Sequence, residues 1–317
     1  MANVVFFGTP EFAIPILKAL IEHYSVLAVV TQPDRPAGRG RRRLQAPPVK
    51  ELAMAHSIPV FQPARLRRDM TLRETLAGLG ADLFVLASYG QILPGSILAI
   101  PPYGCIGVHA SLLPRWRGAA PVAAAIRQGD AETGITLMLT DEGMDTGPII
   151  AQRALPIAPR DTTATLTTKL AALGADLVIE TLPAWLAGGI APQPQDESAA
   201  TYAPPIRRES AAIDWTRSAV EIERQVRAYN PWPGTYCACA QRNFRILQAR
   251  AWPEWRGEGL PGKVVETPKG IGVVTGQGLL LLDKVQIAGK RPMQVDAFAR
   301  GQRDFIHSVL ESCCSDI

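Results

Sequence analysis

The chain has 317 residues, 47% of them apolar and 20% charged, with a formal net charge of +4. These are the proportions of a soluble globular protein, and no run approaches the ~20 uninterrupted apolar residues that a membrane-crossing helix needs. The length predicts two domains, or one domain with a large appendage.

The opening MANVVFFGTPEF lacks a basic stretch before its apolar residues, so it does not read as a secretion leader and a cytosolic protein is expected. NVVFFG (3–8) predicts a buried strand, a helix follows from Pro10 to about His23, and SVLAVVT (25–31) predicts a second strand. RPAGRGRRR (35–43) then places five arginines in nine positions with no acid. Such a cluster reads either as a solvated loop or as an arm seeking phosphates, because guanidiniums neutralise a phosphate backbone and release its counterions.

A helix is expected from Pro47 or Pro48, then a short strand at PVF, a helix at TLRETLAGL and a strand at DLFVLAS (82–88). Cys105 to Ala110 predicts a further strand, and 134–152 reads as strand, acidic glycine-rich turn, strand. Strands that are apolar at every position are covered on both faces, which implies a doubly wound, mostly parallel (Rossmann-like) sheet. Ligands of such sheets bind beyond the carboxyl ends of the strands.

A long helix over 162–188 closes this unit, and a stretch rich in Pro, Ala, Ser and Gln follows. The predicted division is 1–188 for a catalytic domain, 189–209 for a linker and 210–317 for a second domain. There, after the amphipathic RSAVEIERQVRAY, short strands at GTYCACA, FRILQAR, GKVVET, GIGVVTG and LLLLDKV predict a small barrel (OB-like) or sandwich.

Several chemistries are disfavoured by what the chain lacks. The first turn is Gly-Thr-Pro-Glu rather than G-x-G-x-x-G, Thr31-Gln32-Pro33 stands where a ribose-binding acid is usual, and no P-loop pattern occurs. Five cysteines without a C-x-x-C pair and four histidines without H-E-x-x-H predict reduced thiols and no metal site. Two features carry chemistry instead. His109 falls where the strand from Cys105 stops, at the catalytic edge of such a sheet, and Asp141, Glu142 and Asp145 lie on the turn DEGMDTGP. A carboxylate from that turn, reaching across neighbouring strand ends, would orient the imidazole and raise its basicity.

FxGTPEFA, TQPDRPAGRGRRRLQAPPVK, YGQILP, VHASLLPRWRGAAP, DEGMDTGPI, IDWTRSA and YNPWPG together resemble the methionyl-tRNA formyltransferase family over nearly the whole chain. The resemblance implies formyl transfer from 10-formyltetrahydrofolate, without a metal, to methionyl initiator tRNA. It makes His109 and Asp145 the catalytic pair, and it makes Ser111, Leu112, Leu113 and Pro114 the folate-binding segment. Tyr89, Gln91, Ile92, Leu93 and Asp141 would line the pterin pocket, while Arg39, with Arg41, Arg42 and Arg43, would meet the tRNA. A monomer with no membrane association is expected.

The chain departs from the family at Gly107, where the pattern has an asparagine whose amide helps bind the formyl oxygen. Three readings stay open: a backbone N–H or water replaces the amide, the enzyme is slow, or only tRNA or folate binding is kept. A formyltransferase for a small amine such as an amino sugar is the competing activity.

Overall fold

The computed structural model describes residues 1–37, 43–240, 242–302 and 304–312. The chain folds into two units. The first comprises residues 1–121, 132–156 and 167–203, and the second comprises 122–131, 157–166 and 204–317.

The chain opens with β1 (Asn3–Gly8), α1 (Ala13–His23) and β2 (Ser25–Val30). A hairpin of β3 (Arg35–Ala37) and β4 (Arg43–Gln45) forms the base of the arginine-rich arm and leads to α2 (Pro48–Ala55) and β5 (Val60–Phe61). Just before it, Asp34 accepts hydrogen bonds from Gln62 Nε2 and Lys50 Nζ, which hold its carboxyl below the usual carboxylate range. The chain continues through α3 (Met70–Gly78), β6 (Leu83–Ala87), α4 (Gly95–Leu98), β7 (Cys105–His109) and β8 (Arg117–Gly118). Then come α5 (Pro121–Gln128), β9 (Glu132–Leu139), β10 (Ile149–Pro156), α6 (Thr163–Leu186) and β11 (Tyr202–Ala203).

Seven strands form the main sheet of the first unit, in the order β10-β9-β7-β6-β1-β2-β5. From β5 to β7 all pairings are parallel, and Val4, Val5, Phe6 and Phe7 of β1 are fully buried, as the unbroken apolar run requires. The chain moves from β1 outward to β2 and β5, then returns to lay β6 on the other side of β1. That reversal between β1 and β6 is a topological switch point, where a crevice opens at the strands' carboxyl ends.

β9 and β10 run antiparallel to their neighbours, which corrects the expectation about strand ends. His109 pairs with Thr136 and Ile106 with Leu139, so β9 finishes level with the start of β7. The acidic turn must therefore reach back along the sheet to meet His109.

Residues 189–203, expected as linker, are fastened to the first unit. Gln193 exchanges backbone hydrogen bonds with Ile149, and β11 pairs in parallel with β8 through Tyr202–Arg117 and Ala203–Gly118.

The second unit contains α7 (Ala219–Ala228), β12 (Thr235–Cys239), β13 (Arg242–Trp252), β14 (Val264–Thr267), β15 (Gly270–Val274), β16 (Leu279–Ile287), β17 (Met293–Gln294) and α8 (Val295–Gly301). Its antiparallel sheet runs β12-β13-β16-β15-β14, with β17 also on β16. Among the described residues, β12 and β14 do not pair directly. Instead, Glu311 exchanges backbone hydrogen bonds with Ala238, and Val309 bridges Lys263 just before β14, so the chain's last described residues tie the two edges. The core holds Phe244, Phe298 and Phe305 with centroids 4.8 to 5.6 Å apart. Cys237 is buried and Cys239 packs against the same core, as their i, i+2 spacing predicts.

Candidate active site

A cavity of about 570 Å³ lies where β1, β6 and β7 end. Pro10 borders it after β1, residues 88–92 after β6, and Gly107 to Ala110 along the end of β7. Leu86, Gly118, Ala119, Pro121, Met138, Met144 and Asp145 complete the wall. Volume and lining fall in the range of small-molecule sites. Ile92 and Met144 are largely exposed, so two apolar side chains stand at the mouth, where a flat ring could be covered. A second pocket of about 330 Å³ shares Pro10, Ser88, Tyr89 and Gly90 with the first and extends to Gln32, Arg35 and Gln45.

His109, 8% exposed, is the last residue of β7. Its Nε2 lies 2.9 Å from the carbonyl oxygen of Trp116, and its Nδ1 lies 3.5 Å from Asp145 Oδ2. Both ring nitrogens thus face oxygen atoms, which together fix the plane of the ring. The carboxylate is itself fixed, because Gly118 N donates to Asp145 Oδ2 at 2.8 Å. Asp145 has φ +56°, a left-handed conformation uncommon outside glycine though easier for aspartate than for most residues, so its surroundings help to enforce it.

The turn 140–147 supplies that enforcement. Thr140 N donates to Cys105 O, Thr146 Oγ1 donates to Asp141, and Gln195 Nε2 donates to the carbonyl oxygens of Asp145 and Gly147. Asp141 therefore braces the turn and does not border the cavity.

Ser111, Leu112, Leu113 and Pro114 also lie behind the wall rather than in it. Thr136 Oγ1 donates to Ser111 O and accepts from Leu113 N, and Gln152 Nε2 donates to Leu113 O. Ser111 Oγ donates to Arg115 O, and this pinned turn delivers the Trp116 carbonyl to His109. The guanidinium of Arg115 lies over the Trp116 ring at 4.4 Å.

Tyr89, Gln91 and Ile92 border the cavity, and Leu93 is in the core. The Tyr89 ring packs edge-on against Phe7, burial pushes its phenol well above the ordinary range, and its backbone carbonyl accepts from Thr9 and Gln32. Gln91 is held by Leu66 N and Pro63 O. Burial pushes the Cys105 thiol up to about 12, so it is neutral and inert at neutral pH.

Arg39, Arg41 and Arg42 lie outside the described residues, and Arg43 enters as backbone of β4. Sequence reasoning did not single out Met138, Met144, Arg117 or Gln195. An amide or a guanidinium has no local pattern that announces a partner 48 to 80 positions away. Among the described residues no cluster of three or more His, Cys, Asp or Glu side chains could hold a metal ion, and no helix is long and apolar enough to cross a membrane.

The family described as formyl transferase matches residues 2–182, and the family described as formyl transferase, C-terminal domain, matches residues 205–303. The chain is 47% identical over 303 residues to a methionyl-tRNA formyltransferase of Roseiflexus sp. strain RS-1, covering 95% of this chain and 93% of that protein. It is 49% identical over 300 residues to the methionyl-tRNA formyltransferase of Nitrosococcus oceani, covering 93% of this chain and 92% of the other. Among solved structures, the sugar 3N-formyl transferase WlaRD aligns with a TM-score of 0.67 at 18% identity, over 92% of this chain and 99% of its own. HypX from Aquifex aeolicus aligns with a TM-score of 0.63 at 18% identity, over 98% of this chain and 48% of its own. These two structures establish the shared fold.

Proposed function

The chain belongs to the methionyl-tRNA formyltransferase family, and from that premise we propose that it transfers a formyl group from 10-formyltetrahydrofolate to the α-amino group of methionine on initiator tRNA. The reading is carried by close identity running through both units to proteins of one activity. A small amine acceptor has only the fold in its favour, because the sugar-modifying structures share under a fifth of their residues with this chain. The reaction belongs to translation initiation and hence to the cytoplasm.

The cavity supports a folate donor: it is large enough for a pterin, and Leu86, Ile92, Val108, Met138 and Met144 offer it an apolar bed. Leu93, Asp141 and Ser111 to Pro114 act from behind, by fixing the segments that border it. The amine nitrogen attacks the formyl carbon, and the carbonyl π electrons move to oxygen. The tetrahedral adduct then collapses with cleavage of the C–N10 bond. The ammonium proton leaves to the His109–Asp145 pair and is returned to N10 of the departing tetrahydrofolate. Asp145, held by Gly118 N–H, stabilises the imidazolium formed on the way.

The test is formylation of methionyl initiator tRNA by the full-length protein with 10-formyltetrahydrofolate, beside His109→Ala and Asp145→Asn. The native protein yields formylmethionyl-tRNA, and each variant loses about 10²–10⁴-fold in kcat, the usual yield of positioned proton transfer. An absence of product at high enzyme concentration refutes the activity. Variants as fast as the native protein refute the assignment of the pair.

A further inference from the structure

Gln195 stands in the segment between α6 and β11, away from the cavity, and its side-chain amide is fully used. Nε2 donates to Asp145 O at 2.8 Å and to Gly147 O at 2.7 Å, while Oε1 accepts from Arg117 Nε at 3.1 Å and Nη2 at 2.9 Å. Arg117 is fully buried and also donates to Glu197, with Nη1 to Oε2 at 2.9 Å and Nη2 to Oε1 at 2.7 Å.

Both neighbours of Arg117 touch the imidazole–carboxylate pair: Trp116 O meets His109 Nε2, and Gly118 N donates to Asp145 Oδ2. The position of Gly118 is equally tight. It has φ +110°, and a Cβ there would lie 2.8 Å from Ala203 O, so β8 and β11 lie too close for a side chain at that point. Gln195 is thus one hydrogen bond from the backbone of Asp145 and, through Arg117, adjoins the segment that holds His109.

We propose that Gln195 is a positioning residue for the transfer: its two N–H donors keep Asp145 in its left-handed conformation, with the carboxylate opposite His109. The proposal rests on the reading of His109 and Asp145 as the proton-transfer pair. A side chain donating to two backbone carbonyls of one turn fixes that turn's path where backbone preference alone would not. The stretch that composition marks as linker thereby becomes part of the site.

The distinguishing variant is Gln195→Glu. A glutamate can still accept from Arg117, but as a carboxylate it cannot donate to the carbonyl oxygens of residues 145 and 147. In the full-length protein, Gln195→Glu is expected to lower kcat by about tenfold or more, while KM for 10-formyltetrahydrofolate stays within about threefold and the folded fraction is unchanged. Gln195→Ala is expected to do the same. On an Asp145→Asn background, Gln195→Glu should cost less than about twofold further, because the two act through one group. Native-like kcat in Gln195→Glu, losses that multiply in the double variant, or a fall in kcat matched by loss of folded protein would each overturn the proposal. If Asp145→Asn alone is fully active, the premise fails. If Asp145→Asn is slow and Gln195→Glu is not, the proposal fails by itself.

Discussion

Gly107 borders the cavity two residues before His109 on the same strand, so a side chain there would project to the same face as the imidazole. A Cβ at this position would lie 3.0 Å from Met138 Cε and 3.0 Å from Thr140 Oγ1. The methionine end can yield, since its side chain is flexible, whereas the buried threonine hydroxyl meets the Cys105 thiol. An asparagine introduced here therefore fits only once Met138 shifts, and its amide then lies within reach of the Thr140 hydroxyl as well as the cavity. Gly107→Asn is accordingly expected to change kcat by less than about tenfold in single-turnover formylation. A rise of ~10²–10³, the usual worth of one oxyanion donor, would show instead that the native site is short of a donor. At this scale the sequence is informative where a residue's place at the cavity is written locally. His109 at a strand end and Asp145 on a glycine-rich turn stood out by type and position. Gln195 and Arg117 did not, because their contacts exist only once residues far apart in sequence are folded together.

Elements with a strong period were legible, and short or reversed ones were not. β1, β2, β6 and β7 stand within about a residue of where their apolar runs put them, since burial on both faces demands such runs. α4, with four residues, and α8, with seven, are too short to establish a 3.6-residue pattern. The direction of β9 is unreadable for another reason: strand composition does not encode orientation, and the turn 140–147 reaches back through contacts with Cys105 and Gln195. α7 shows the converse, a helix whose start is chemically marked. Ser218 Oγ accepts from Glu221 N, and Glu221 Oε2 accepts from Ser218 N, a reciprocal cap. Ser218→Ala should cost about 1 kcal/mol, read as a shift in urea midpoint at unchanged slope. Hydrogen bonds from Ser218 hold the Glu221 carboxyl below its ordinary value. That contribution is present above the unfolded carboxyl's pKa and is lost as pH falls through the lower folded value. The penalty of Ser218→Ala should therefore shrink in acid, and a penalty constant into strong acid would show that the carboxylate plays no part.

Across the whole molecule, a net charge of +4 is too small to account for a grip on nucleic acid by general attraction, so the proposed contact with tRNA falls to the five arginines packed into residues 35–43. The base of that arm is built to stay in place. β3 and β4 pair from Arg35–Gln45 to Ala37–Arg43, and Asp34 is clamped by Lys50 and Gln62. The base also neighbours the crevice, because the pocket containing Arg35 and Gln45 shares Ser88, Tyr89 and Gly90 with the cavity of His109. An acceptor end led in by its phosphates would thus arrive where the amine is needed. Each arginine lost should remove about one released counterion from binding, and it should leave the chemistry of a bound substrate alone. Arg39→Ala is therefore expected to raise KM for methionyl initiator tRNA several-fold. The slope of log affinity against log salt should fall by about 0.9, with kcat and the KM for 10-formyltetrahydrofolate unchanged. Binding measured between about 50 and 200 mM salt resolves that slope, since several phosphate contacts change affinity by orders of magnitude over this range. An unchanged slope would mean that Arg39 makes no phosphate contact and that recognition of the tRNA begins elsewhere on the surface.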